Sequence, residues 1–188
     1  MQWNVPNSLT MLRIFLIPVF VGIFYVPTEM IPTHWVNLSA TLVFALAAVT
    51  DWLDGYFARV LNQTSAFGAF LDPVADKLMV AAALIVLVEF ERVGALIALI
   101  IIGREIAISA LREWMAGMGE GHSVAVAWLG KIKTAAQMAA ILFLLYYDNI
   151  GQVNVKLIGQ VLITIAAFLT LLSMAYYLKA AWPRMKAR

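Results

Sequence analysis

Apolar residues in this chain fall in long unbroken runs, and its polar residues gather at the ends of those runs. Six runs stand out, over about 8–26, 35–59, 69–89, 93–114, 131–147 and 155–178. Each is close to the roughly 20 residues that carry an α-helix across a bilayer. The last contains a charge-free stretch from Leu157 to Tyr177. Structure breakers separate the runs: Pro27 and Pro32 in the first connection, Glu89 to Gly94 in the third, Asp148-Asn149-Ile150-Gly151 in the fifth. No internal repeat or low-complexity tract divides the chain. The pattern predicts one all-α domain over residues 1–188, an integral membrane bundle of six transmembrane helices.

Composition agrees. With 63% hydrophobic residues, 13% charged residues and a mean hydropathy of +0.88, the chain has more apolar surface than a soluble domain of 188 residues can hide. There is no cysteine, which excludes disulfides, thiolate metal sites and cysteine nucleophiles. The first residues lack the basic stretch and small-residue cleavage site of a signal peptide, so the first run is expected to persist as a helix. The net charge of +2 is small, but its placement is informative. Arg59, Lys77, Arg112, Lys131, Lys133, Lys179, Arg184, Lys186 and Arg188 fall on one side of the expected membrane, Arg92 and Lys156 on the other. Positive charge marks the cytoplasmic side, so both termini are expected there. Trp3, Trp35, Trp114 and Trp182 fall near the expected interfaces, as an aromatic belt would.

Four acids interrupt this apolar pattern. Asp51 and Asp54 close the second run, and Asp72 and Asp76 open the third. Spacings of three and four residues put each pair on one helix face. A short connection makes the two helices antiparallel neighbours, so all four carboxylates are expected at one shallow, cytoplasmic depth. Acids in membrane segments are costly and usually functional. Four carboxylates together repel, and hard oxygen-seeking cations such as Mg²⁺ or Mn²⁺ relieve that repulsion. Cations held this way can grip a diphosphate. Gly55, Ala58 and Gly68 leave room for a bulky group against the helix backbone.

The spacing D-x2-D-G-x2-A-R-x8-G-x3-D-x3-D is complete here, through Asp51, Asp54, Gly55, Ala58, Arg59, Gly68, Asp72 and Asp76. In this the chain resembles the CDP-alcohol phosphotransferase family. The resemblance implies a six-helix membrane enzyme, generally a homodimer, that cleaves a CDP-linked substrate and releases CMP. It implies that Asp51, Asp54, Asp72 and Asp76 bind two divalent ions, with Asp76 also the general base. Gly55, Ala58, Arg59 and Gly68 would line the nucleotide site.

The likeness continues through N-V-P-N-S-L-T-M-L-R, G-R-E-I-A-I-S-A-L-R-E-W and W-L-G-K-I-K-T-A-A-Q. These stretches resemble the bacterial branch that joins CDP-diacylglycerol to glycerol 3-phosphate at the cytoplasmic membrane. Arg104, Arg112, Lys131 and Lys133 are then candidates for the acceptor phosphate. Helix-end snorkelling is the competing reading for Arg112, Lys131 and Lys133, and an ion pair with Glu105 or another acid for Arg104. Asn7, Thr10 and Arg13 read equally as a helix start with one topogenic charge or as contacts to the nucleotide phosphates. Gly117 to Gly121 and His122 read as a solvated connection. Other acceptors stay open, among them serine, inositol phosphate and phosphatidylglycerol. A different class is a cation or proton-coupled transporter, although one-sided acids without repeated halves are unusual there. Nothing in the pattern points to nucleic acid.

Overall fold

The computed structural model describes residues 5–60, 66–117 and 127–186, and among them the regular structure is wholly helical. In chain order the helices are α1 (Val5–Ile23), α2 (Thr33–Val60), α3 (Ala66–Glu89), α4 (Ala95–Gly117), α5 (Ala127–Tyr146) and α6 (Val155–Lys186). Their positions follow the six apolar runs; α6 continues furthest past its run, into the basic C-terminal segment. Two helical stretches, Thr33–Phe57 and Val155–Tyr176, are long and apolar enough to cross a membrane by length and composition alone.

Local chemistry explains the ends. At the end of α3, Arg92 N–H bonds the Leu87 carbonyl at 2.8 Å and Glu91 N–H bonds Val88 at 3.0 Å, while Glu91 takes a left-handed φ of 55°. This is a Schellman closure with glutamate in the position glycine usually fills. Asn154 Oδ1 accepts the Leu157 N–H at 3.0 Å, capping the start of α6. Gly151, at φ 60°, turns the preceding connection, where Ile150 and Val153 pair across a tight loop.

The helices divide into two neighbourhoods. Helix α1 packs on both α2 and α3, while α5 and α6 share the most extensive interface. Contacts of α4 with α6 and of α2 with α5 join them. The shared core includes Phe20, Phe44, Leu84, Ile101, Ile141 and Leu144. Large apolar side chains also point outward, including Phe15, Leu96, Leu99 and Phe168. An apolar exterior of this kind suits contact with lipid.

One end of the bundle is held by Arg92, which is 6% exposed. Its Nη1 donates to the Leu144 and Leu145 carbonyls at 3.1 and 2.8 Å, satisfying groups at the end of α5. Its Nη2 donates to Asn37 Oδ1 at 2.6 Å, and the guanidinium lies 4.4 Å from the Tyr147 ring centroid. Burial pulls its pKa below the usual value, with Tyr147 and Asp148 opposing that shift.

Candidate functional site

The acids lie at the opposite end. Asp51 and Asp54 stand on the last third of α2, Asp72 and Asp76 on the first half of α3. Pro73, between the second pair, cannot donate the usual helical hydrogen bond to the carbonyl four residues earlier. Asp54 is buried, whereas the Asp51 side chain is 47% exposed.

Helix α1 supplies what these acids touch. Arg13 is 1% exposed, with Nη1 2.7 Å from Asp51 Oδ1 and Nη2 paired to Asp54 Oδ2. Thr10 Oγ1 donates to Asp72 Oδ1. Asn7 is buried on the same helix. Thr10 and Arg13 are inside the bundle and bonded to the acids. A buried guanidinium needs an anion, and α1 packs directly on the two helices that carry the four aspartates.

Among the described residues, no three His, Cys, Asp or Glu side chains converge tightly enough to hold a metal as they stand. Arg13 and Thr10 engage three of the carboxylates. The donor chemistry nevertheless fits Mg²⁺ or Mn²⁺: all four side chains are carboxylates, the hard oxygen donors these cations prefer. Gly55 is half-buried and Gly68 buried on the same helices. Ala58 and Arg59 lie near the end of α2, Arg112 on α4 and Lys131 on α5, but their side chains fall outside the described residues. So does most of the Gly117 to Gly121 stretch, with His122.

Arg104 and Lys133 are brought together. They lie on α4 and α5, 6% and 2% exposed, and both bind one oxygen, Glu105 Oε1. The Arg104 contact is 3.1 Å. Arg104 Nη2 also donates to Ser173 Oγ on α6 at 3.1 Å. The ion pair posed as the alternative for Arg104 is thus present, and it includes Lys133. Glu105 and Ser173 were absent from the candidate set. The signal for Glu105 was its place beside a deep arginine within an apolar run; Ser173 had none, because its partner is 69 residues away.

The chain is similar to known proteins over nearly its whole length. The CDP-alcohol phosphatidyltransferase family profile matches residues 3–174. Relatives from Shigella flexneri serotype 5b (strain 8401) and Escherichia coli (strain K12) are each 51% identical over 183 residues, covering 96% of both chains. Each is named CDP-diacylglycerol–glycerol-3-phosphate 3-phosphatidyltransferase.

Proposed function

The chain belongs to the CDP-alcohol phosphatidyltransferase family, and we propose that it transfers the phosphatidyl group of CDP-diacylglycerol to glycerol 3-phosphate. The products are phosphatidylglycerophosphate and CMP, in phospholipid synthesis. The observation that carries this reading is 51% identity, spread over almost the whole length, to relatives named for that reaction. The pairing of an acidic cluster with a buried cationic one at the same end of the bundle supports it.

Asp51, Asp54, Asp72 and Asp76 would hold divalent cations, two by family likeness. When bound, such ions supply positive charge opposite the diphosphate and the departing CMP. Asp76 is the general base: it takes the proton of the acceptor's primary hydroxyl as that oxygen attacks the phosphorus bearing diacylglycerol. The bond from this phosphorus to the oxygen of CMP breaks. Arg104 and Lys133 hold the acceptor phosphate, joined by Arg112 and Lys131. Gly55, Ala58, Arg59 and Gly68 line the nucleotide site, with Asn7, Thr10 and Arg13 beneath it.

The same reading makes the protein a multi-pass enzyme of the bacterial cytoplasmic membrane. Six helices cross, both termini and the site face the cytoplasm, and the protein works as a homodimer. CDP-diacylglycerol enters sideways with its acyl chains still in lipid. Purified protein, offered CDP-diacylglycerol with glycerol 3-phosphate, serine or inositol phosphate, should release CMP only with the first. Release with serine alone would reassign the acceptor. No release with any of them would overturn the enzymatic reading.

A further inference from the structure

Two buried cations meet at one carboxylate oxygen. Arg104 and Lys133 come from different helices, and without an anion between them their charges would repel at a depth water reaches poorly. Glu105 Oε1 supplies that anion. The Glu105 side chain is 27% exposed, against 6% and 3% for its two partners. The carboxylate therefore stands on the open side, with the cations behind it. Arg104 is also anchored independently: its Nη2 donates to Ser173 Oγ, which itself donates to the Thr170 carbonyl at 2.9 Å. Removing the carboxylate would leave the guanidinium tethered.

We propose that Glu105 is a built-in stand-in for the acceptor phosphate, its Oε1 occupying the point between Arg104 and Lys133 that a phosphate oxygen takes. This rests on the reading of Arg104 and Lys133 as acceptor-phosphate residues, and adds to it a competing internal anion. A carboxylate brings a single negative charge to Arg104 and Lys133. A phosphate dianion neutralises both, so it can displace the carboxylate toward the open side. Until then Glu105 keeps weaker anions off a strongly positive site. It is a positioning residue that sets how strongly an anion must bind to enter.

The test is anion binding rather than turnover alone. Purified full-length protein in detergent is titrated with inorganic phosphate, following its melting temperature and its competition with glycerol 3-phosphate. Glu105→Gln removes the competing charge, so phosphate should act at about tenfold lower concentration than in the wild type, the scale of one charge-assisted hydrogen bond. Glu105→Asp keeps the charge on a shorter side chain that reaches both cations less well, and should shift the phosphate response in the same direction by less. It also serves if Glu105→Gln does not fold. Phosphate binding that is unchanged or weaker in whichever variant folds would overturn the proposal. Arg104→Gln separates the two levels. If that variant responds to phosphate as the wild type does, the acceptor site lies elsewhere and the stand-in falls with it.

Discussion

Arg13, almost wholly buried, holds Asp51 with one nitrogen of its guanidinium and Asp54 with the other. Removing one partner of a buried pair leaves the other uncompensated, at a typical cost of about 3–5 kcal/mol. Half-exposed Asp51 adds little to this; buried Asp54 carries the effect. Arg13→Gln should therefore melt at a clearly lower temperature in detergent, and an unchanged melting temperature would mean the pair contributes no net stability. Asp76 makes a contrasting case, because it is exposed and its predicted work is chemical. Asp76→Asn keeps the size and removes the proton acceptor. Its kcat should drop roughly 10²–10⁴-fold, with CDP-diacylglycerol binding little changed. If nucleotide binding were lost while kcat stayed near wild type, Asp76 would be a ligand and not the base.

Packing sets the terms for whole helices. Where α5 and α6 touch, a methyl group on Gly159 would come within 2.7 Å of Leu144 Cγ and 3.2 Å of Phe143 Cβ. Alanine is the better helix former, yet here it would overfill the interface, at about 1–3 kcal/mol. Gly159→Ala should lower the melting temperature while activity per folded molecule persists. A more stable variant would mean Leu144 yields freely. The opposite end of the bundle depends on Arg92, which ties the α3–α4 connection to the last carbonyls of α5 and to Asn37 of α2. Glutamine at this position is too short to span those partners. Arg92→Gln should cost roughly 1.5–3 kcal/mol, read by thermal unfolding, with the KM for both substrates unmoved. A raised KM without loss of stability would place Arg92 in the chemistry.

At the scale of the molecule, charge is segregated. Acids carried by α2 and α3 lie at the same end as the cationic cluster shared by α4, α5 and α6, while an apolar exterior surrounds both. An excess of carboxylate repels a diphosphate unless cations intervene. Exhaustive EDTA treatment should therefore abolish CMP release, and Mg²⁺ or Mn²⁺ should restore it. Full activity after chelation would rule out the carboxylates as a cation site. Under the proposed function, the segregation would give each substrate its own half of the site: the nucleotide with α1, α2 and α3, the acceptor with the cations beyond.

Local patterns were enough for much of this. Apolar runs placed all six helices within a few residues at most ends, because a long apolar run bounded by breakers marks a helix wherever it sits in the fold. Breakers such as Gly151 located the connections, since left-handed backbone favours few residue types. The aspartate spacing was equally legible, for a helix repeat turns sequence distance directly into a shared face. What lay beyond reach were pairings across helices. Arg13 sits 41 residues from Asp54, Thr10 62 from Asp72, Lys133 28 from Glu105 and Arg104 69 from Ser173. Burial in the bundle makes each isolated charge costly, so these polar groups must find one another. Which ones meet depends on how α1 settles against α2 and α3, and how α4 and α5 meet α6. Helix periodicity carries no record of those choices, so the sequence alone determined the elements and the acids, and tertiary packing decided which side chains meet them.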